Sequence, residues 1–575
     1  MLKNKKDVIQ LLETIALYME IKGENPFKIA AFRKAASALE TDERSLAEME
    51  DFTKIPGIGK GTSAVIGEFL ETGTSKVLEE LQNEIPSSLL SLLKIPGLGG
   101  KKIAKLYQEL GVVDVDSLKA ACLEQKVQAL AGFGKKTEEK ILAAIEEIGS
   151  RPERLPLAAV LPIAEEIEQQ LQAVKEIIRF SRAGSLRRMK ETVKDLDFII
   201  ATNEPERVRE QLVTLAHVSD VIAKGDTKVS LQFRYEYEIA VDFRIVHPDQ
   251  FATTLHHFTG SKEHNVRMRQ LAKERGEKIS EYGVEQVDTG NIITFADERS
   301  FFAHFQLPFI PPELREDGSE VDRYEEGYPL IQLSDIQGDL HIHSTWSDGA
   351  CSIEEMAEEC RKKGYRYMAV TDHSQFLKVA NGLTVERLKR QREEIERLNA
   401  KYDDFTILAG IEMDILPDGT LDYDDDVLTE LDFVIAAIHT GFSQDREAIM
   451  KRLKAALENV HVDLIAHPTG RLIGRRSGYD VDVDMLIELA RETNTALELN
   501  ANPHRLDLTY TYLKKAQDAG VKIAINTDAH HLQMLDDMNI GVATARKGWI
   551  RKETVINTWT LDELRRFLRR HDENR

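Results

Sequence analysis

The 575-residue chain has no apolar run approaching the length that spans a bilayer. Its first residues, Met1-Leu2-Lys3-Asn4-Lys5-Lys6-Asp7-Val8, hold no apolar segment of the signal-peptide kind. Cysteine is scarce. Cys122, Cys351 and Cys360 make neither a disulfide framework nor a Cys-x-x-Cys zinc site. Together these absences lead us to expect a reducing cytoplasm and no membrane partner. Positive charge is in deficit as well: 76 Lys and Arg against 98 Asp and Glu give a net charge of -22. That balance argues against a broad polyanion-binding surface, so any such contact is expected to be local and strongly salt-dependent. With 42% hydrophobic and 30% charged residues the chain reads as a soluble globular protein, too long for one core and divided into several domains.

What is present is concentrated in a few stretches. The most informative begins at Gly184-Ser185-Leu186-Arg187-Arg188 and runs through Lys190 to Asp195-Leu196-Asp197. The apolar run of Phe198, Ile199, Ile200 and Ala201 predicts a β-strand, and Gly184 and Ser185 predict a turn opening a short helix. Residues two apart on a strand face the same way, so Asp195 and Asp197 present two carboxylates on one face. Two such groups repel unless a cation lies between them. Magnesium, held by a few carboxylates plus substrate phosphates, is the usual answer. Ser185, Arg187, Arg188 and Lys190 add a hydroxyl, helix N-terminal amides and positive charge, all suited to a triphosphate. A second predicted strand, Glu238–Val246, places Asp242 and Arg244 opposite an apolar face of Val241, Phe243 and Ile245. Three carboxylates can hold two metal ions for an in-line phosphoryl displacement. A solvated charged turn before an ordinary strand is the bland alternative, and the combination of features outweighs it.

Gly184, Ser185, Arg188, Asp195, Asp197 and Asp242 resemble the signature of the family X DNA polymerases, nucleotidyltransferases with a small palm. Phe258-Thr259-Gly260-Ser261-Lys262-Glu263-His264-Asn265-Val266-Arg267-Met268-Arg269 matches the same family. The resemblance implies a nucleotide site with Phe258 and Gly260 at the sugar, Asn265 at the base and Arg269 near the templating base. The family usually has Tyr before this Phe; here it is His257.

Upstream, residues 4–40 read as two helices, the second carrying Lys28, Arg33 and Lys34. Three turns follow: Ile55-Pro56-Gly57-Ile58-Gly59-Lys60, Ile95-Pro96-Gly97-Leu98-Gly99-Gly100-Lys101, and a weaker Leu130-Ala131-Gly132-Phe133-Gly134. Each is an apolar-x-Gly-apolar-Gly turn whose glycines expose amides at a helix N-terminus. That is how a helix-hairpin-helix grips a nucleic-acid phosphate without reading sequence. We therefore expect Lys28, Gly57, Gly59, Lys60, Gly97, Gly99, Lys101, Gly132 and Gly134 to contact DNA. In the family the first unit binds the 5′ end of a gap, and in some members it removes a deoxyribose phosphate through a lysine. Aligned on Gly59, that lysine falls at Val65, which cannot form a Schiff base, so the expectation is end binding without lyase chemistry.

Beyond Ile331 strands and helices alternate over a barrel's length, which suggests a distorted β/α barrel with its chemistry at the strand ends. Nine His, Asp and Glu residues stand at those ends: His341, His343, Asp348, His373, Glu412, His439, His467, Asp528 and His530. One histidine alone is more often structural. Nine at successive strand ends are not explained as core. Imidazole and carboxylate without thiolate suit zinc, manganese or iron in a hydrolytic site. This region resembles the PHP (polymerase and histidinol phosphatase) family. The resemblance implies three metals: one on His341, His343, Glu412 and Asp528, a second on Glu412, His439 and His467, and a third on Asp348, His373 and His530.

The expected fold is thus multidomain, α+β and α/β. Helix-hairpin-helix units occupy 1–85 and 86–150, a nucleotidyltransferase palm 151–246 and a small thumb 247–316. An acidic linker at 317–335 leads to the PHP barrel at 336–575. The implied function is short-gap filling on gapped or primed DNA with deoxynucleoside triphosphates, two Mg2+ or Mn2+ ions serving the palm. The barrel would hydrolyse phosphodiesters as a 3′–5′ exonuclease, and by resemblance also abasic-site or 3′-phosphate ends. The protein is expected to be a monomer. Three alternatives stay open: a template-independent nucleotidyltransferase, a barrel acting as a small-molecule phosphatase, and a DNA-end scaffold with both ligand sets idle.

Overall fold

The computed structural model describes residues 5–41, 49, 51–95, 98–149 and 154–568. Gly97 of the second glycine turn lies outside them. Among the described residues no helix is long and apolar enough to cross a membrane.

The N-terminal body is helical. Helices Lys5–Lys22 and Pro26–Thr41 pack face to face through Val8, Leu12, Ile15, Phe32 and Ala35. The glycine turns then start helices Lys60–Thr72, Gly100–Leu110 and Lys135–Gly149. Gly59 and Gly99 are the N-caps of the first two. Gly57 and Gly132 lie in the left-handed region, with φ of 110° and 91°, where a side chain would be strained. One apolar core runs from Val8 to Ile145, so the two helical units expected separately are packed as one.

The palm is a five-stranded sheet in the order β1 (Arg179–Arg182), β2 (Asp195–Ala201), β5 (Glu238–Val246), β4 (Lys228–Arg234), β3 (Val218–Lys224). β2 and β5 run parallel, and their register sets Asp197 opposite Asp242. The strands alternate as the sequence predicts: Leu196, Phe198, Val241 and Phe243 are buried against helix Leu157–Gln172, while the aspartates face the other way. Phe198 and Phe243 stack with centroids 5.7 Å apart directly behind the carboxylates. Each buried ring contributes about 1.5–3 kcal/mol and fixes the strand face on which the acids stand. The thumb follows with helices Phe251–Thr259 and Lys262–Glu274, a small sheet of β6 (Glu277–Ser280), β7 (Gly283–Gln286) and β8 (Ile292–Ile293), and a Phe301, Phe302, Phe305 core.

The C-terminal body is a seven-stranded parallel barrel. Its strands are adjacent in chain order: β9 (Gly338–Ile342), β10 (Tyr367–Val370), β11 (Thr406–Asp414), β12 (Phe433–Ala437), β13 (Leu464–Ile465), β14 (Ala496–Asn500) and β15 (Ile523–Asn526). Parallel neighbours need crossovers, here supplied mainly by helices such as Ile353–Lys362, Val385–Asn399 and Val483–Thr493. A bridge from Ile342 to Ala529 brings the first strand beside the last, so the barrel is nearly closed. Seven strands and the two-residue β13 are its distortion.

The connector is not a loose tether. The acidic composition of 317–335 suggested a linker, but Glu320, Val321, Leu330 and Ile331 are buried. The reason is a set of spaced apolar residues: Tyr324 and Tyr328 pack edge-on against Trp549 of the barrel, and the Tyr328 hydroxyl donates to the Trp549 carbonyl at 2.8 Å. Barrel and palm also meet directly. Arg471 forks onto Glu191 at 2.7 and 3.1 Å. Leu506, a barrel residue, is fully buried in the palm core, and Lys547 pairs with Glu316 beside Lys190.

Candidate active sites

In the palm the short helix Gly184–Arg187 begins at a glycine with φ of 60°. A Cβ there would come within 2.2 Å of Asp197 Oδ2, so only glycine lets the turn lie against the carboxylate. Asp195 is exposed at the strand start, and Asp197 and Asp242 are half-buried. Burial, then the charges of Asp195 and Asp242, push the Asp197 carboxyl up to about 7. Asp242 is oriented from both sides: Ser230 Oγ donates to Oδ1 at 2.6 Å, and Lys228 Nζ lies 2.6 Å from Oδ2. This is a face of acids that favours a cation. Their oxygens are not drawn together as tightly as the ligands of the barrel, where alone, among the described residues, sets of three or more ligand atoms lie within 4.8 Å. An open acid face suits ions completed by substrate phosphates.

Around it the triphosphate candidates are linked to the thumb. Arg188 donates to the Thr259 carbonyl, and its Nε lies 3.6 Å from Glu316. Arg187 donates to Thr259 Oγ1 at 2.7 Å and to Glu298 at 2.6 Å. Ser185 is half-buried in the turn, its carbonyl accepting from Lys190 N at 3.1 Å. Gly260 lies against Arg188. Phe258 lies under the Arg244 guanidinium at 4.3 Å. Asn265 donates to the His257 carbonyl at 2.8 Å, leaving a buried Oδ1 without a partner, and Arg269 donates to the Asn265 carbonyl at 3.1 Å. In the helical body Lys60 and Lys101 are exposed at helix starts, and a Cβ at Gly59, Gly99 or Gly134 would meet nothing within 4 Å. Gly57 differs: a Cβ there would stand 3.2 Å from the Ala38 methyl. Lys28 is exposed and pairs with Glu24, and Arg33 pairs with Glu20. Val65 is buried in its helix.

The barrel brings all nine expected residues to one cavity of about 400 Å³ or its immediate floor. Glu412 is the hub. His341, His343 and His373 lie 3.4, 3.4 and 3.0 Å from its Oε2, and His439 and His467 lie 3.2 and 2.8 Å from its Oε1. Asp348 faces His373 at 3.5 Å and His530 at 3.2 Å, and Asp528 faces His343 at 3.2 Å. The tightest sets are His343, Asp348, His373 and His530; His341, His343 and Asp528; and His373, Glu412 and His439. His343 and His373 therefore each stand between two of the groups the resemblance implied.

The donor set fits metal ions on its own chemistry. His341 Nε2, both His343 nitrogens, Asp348 Oδ1, His373 Nδ1 and Glu412 Oε2 are buried without a hydrogen-bond partner. Orphaned polar atoms this dense are costly unless something binds them. Burial opposes charge on Glu412, yet His439, His373 and His341 hold its carboxyl well below the usual range. Burial, then His530 and His373, push the His343 imidazole down to about 3. His467 and Asp528 hold positive φ, 28° and 54°, at the ends of β13 and β15, strain of the kind kept at functional sites.

Sequence reasoning missed the residues that aim these ligands. Glu498, fully buried on β14, accepts from His341 Nδ1 at 2.8 Å and from the His467 amide at 2.7 Å. Asp414 holds His439 Nδ1 at 3.0 Å. Asp372 accepts from Ser344 Oγ at 2.6 Å and from Ser347, bracing the loop that carries Asp348. The available signal was a lone acid inside an apolar strand, Leu497-Glu498-Leu499, and an acid two positions after Glu412.

Comparison with known proteins bears on every body of the chain. A helix-hairpin-helix domain model matches residues 3–75 and a SAM-like helix-hairpin-helix tandem 89–147. The DNA polymerase beta thumb matches 254–316 and the PHP domain 339–502. The chain is 65% identical over 569 residues to the DNA polymerase/3′-5′ exonuclease PolX of Bacillus subtilis, covering 99% of this chain and 100% of that protein. A probable phosphatase of Thermoanaerobacter sp. is 30% identical over 232 residues, 38% of this chain and 89% of its own length. One of Caldanaerobacter subterraneus is 27% identical over 254 residues, 40% and 90% respectively. The chain belongs to the family X DNA polymerase/3′–5′ exonucleases of the PolX type, with helix-hairpin-helix units, a polymerase-beta thumb and a C-terminal PHP barrel.

Proposed function

We propose that one chain extends and trims the same DNA strand: a gap-filling DNA polymerase in the palm and a 3′–5′ exonuclease in the barrel. The carrying observation is a face of three acids in the palm and a separate cluster of imidazoles and acids in the barrel, in a chain aligned end to end with a named polymerase/exonuclease. In the palm, Asp195, Asp197 and Asp242 would hold Mg2+ or Mn2+, and Ser185 and Arg188 the triphosphate. Asn265 and Arg269 would meet the base pair being formed. Lys228 and Ser230 fix the Asp242 carboxylate, and Phe198 and Phe243 hold both strands in register behind it. In the barrel the nine ligands would hold up to three ions, with manganese, zinc or iron fitting their imidazole and carboxylate donors. Divalent ions bound at either site supply charge neutralisation for phosphoryl transfer. Glu498 and Asp414 set the tautomers of His341 and His439 so that Nε2 points at the cavity. The helical body would grip the DNA ends through its glycine turns, and the protein would act as a monomer.

Replacing Asp195 and Asp197 together with alanine tests the palm. Primer extension on a gapped duplex should vanish, and undiminished extension would sink the assignment. A second reading of the barrel, a small-molecule phosphatase, is favoured by its similarity to two probable phosphatases. Turnover of phosphate monoesters in preference to DNA would establish it.

A further inference from the structure

One barrel helix, Met538–Lys547, ends at the back of the nucleotide turn in the palm. The residues at its C-terminal end reach out of the barrel. Arg546 donates to the Ile331 carbonyl at 3.0 Å and from Nε to Glu313 at 3.3 Å. Trp549 takes Tyr324 and Tyr328 of the connector. Between them Lys547 points at the palm. Its side chain is 2% exposed, its ammonium donates to the Arg188 carbonyl at 3.3 Å, and it pairs with Glu316. The Tyr510 ring covers the ammonium at 5.1 Å. Burying a charge costs hydration, and an apolar side chain usually serves a purely structural contact as well or better. Burial pushes the Lys547 ammonium down to about 8, with Glu316 opposing, so it is charged at neutral pH.

Glu316 is shared among three cations. Lys190 donates to its Oε2 and Lys547 to its Oε1, and Arg188 Nε stands 3.6 Å from that same Oε1. Arg188 Nε is buried with no hydrogen-bond partner among the described residues, and Nη1 donates to the Thr259 carbonyl instead. Lys547 thus occupies the carboxylate oxygen nearest Arg188, and Arg188 is left beside Glu316 without being bonded to it. Burial opposes charge on Glu316, yet Lys547 and then Lys190 hold its carboxyl below the ordinary range. Its backbone is pinned as well, the carbonyl accepting from Ser261 Oγ at 2.7 Å. Three cations around one carboxylate leave a positive surplus beside the turn, in a chain of net charge -22.

We propose that Lys547 is a positioning residue for the polymerase reaction: by saturating Glu316 it keeps the Arg188 guanidinium available to the triphosphate of the incoming nucleotide. Without it Glu316 would close on Arg188 Nε, and the arginine would be neutralised by an internal carboxylate before any nucleotide arrived. The inference rests on the reading of Arg188 as a triphosphate ligand and deepens it, because nucleotide affinity in the palm then depends on a side chain from the barrel. Lys547 acts through Glu316 and touches no substrate itself.

Steady-state nucleotide addition on a gapped duplex by the full-length protein tests this. Lys547→Met keeps an apolar stem of similar length and removes the charge. It is compared with the double variant Lys547→Met/Glu316→Gln and with Arg188→Ala. Lys547→Met should raise KM about tenfold for every deoxynucleoside triphosphate alike, as expected for a lost charged hydrogen bond, with kcat within about twofold of wild type. Primer shortening should be unchanged. Adding Glu316→Gln should return KM toward wild type, since it removes the carboxylate that captures Arg188. A lysine that merely holds two bodies together predicts no such recovery. An unchanged KM in Lys547→Met, with a raised KM in Arg188→Ala, would overturn the role of Lys547 and leave the triphosphate site standing. Equal loss of lengthening and shortening, or a double variant worse than the single one, would overturn it too. An unchanged KM in Arg188→Ala removes the triphosphate reading and this inference with it.

Discussion

Replacing Glu498 with glutamine keeps the side chain's shape and removes its charge. Glu498 is fully buried and accepts four hydrogen bonds: from His341 Nδ1 at 2.8 Å, the His467 amide at 2.7 Å, Asn526 Nδ2 at 2.9 Å and Asn500 Nδ2 at 3.3 Å. Glutamine has one acceptor oxygen, and its NH2 must face one pair of those donors. If it faces His341, the imidazole must move its proton to Nε2, the atom aimed at Glu412 and Asp528. If it faces His467, a buried amide is left unpaired. A hydrogen bond to a charged group is worth about 1.5–3 kcal/mol. At about 1.4 kcal/mol per tenfold, the barrel should lose roughly 10–100-fold in metal affinity, the range found for groups that orient metal-bound histidines. The assay is metal retained after dialysis against graded free manganese, with primer shortening beside it and nucleotide addition as internal control. Metal affinity within twofold of wild type would refute the positioning role of Glu498. Equal loss of nucleotide addition would show general misfolding instead.

Three further outcomes are expected. Gly184→Ala should reduce nucleotide addition about 100-fold or more while sparing the barrel, since its Cβ collides with Asp197 Oδ2 at 2.2 Å and a 1 Å misplacement can cost about 10²-fold; steady-state kinetics on a gapped duplex reads it. Leu506→Ala should cost about 2–5 kcal/mol, because it empties a fully buried site where the barrel enters the palm core; denaturant titration measures it. Asp197, pushed up to about 7 by burial and by Asp195 and Asp242, must shed a proton to bind a cation. Its raised value means the proton is held below pH 7, so apparent manganese affinity of the palm should fall about tenfold per pH unit below 7 and level off above it. The manganese concentration that half-saturates nucleotide addition, followed from pH 5.5 to 8, checks the slope, and a flat profile would count against it.

The sequence read well wherever period and chemistry coincided. Alternation along Glu238–Val246 put Asp242 on the face opposite Phe243, and the parallel register then set it beside Asp197 as the chemistry needs. The nine barrel residues stood out because they lie within or shortly after apolar strands, and the structure brings them to one cavity or its floor. What was not legible is long-range. Glu498 sits at an interior strand position, and only the closed barrel brings it to His341 and His467. The acidic 317–335 segment looked solvated because composition averages over Val321, Tyr324, Tyr328 and Leu330, which pack only once Trp549 and the thumb core are in place. Nor does any local pattern show that Leu506 completes the core that runs from Leu155 to Ile245, because burial there depends on how two bodies meet.

The most direct test of two active sites serving one DNA end uses a gapped duplex with a 5′-labelled primer, magnesium and manganese. Wild type, Asp195→Ala and His341→Ala are each run with and without nucleoside triphosphates. The primer should lengthen with nucleotides and shorten without them, Asp195→Ala losing only lengthening and His341→Ala only shortening. Shortening that persists in His341→Ala, or lengthening that persists in Asp195→Ala, would contradict the account.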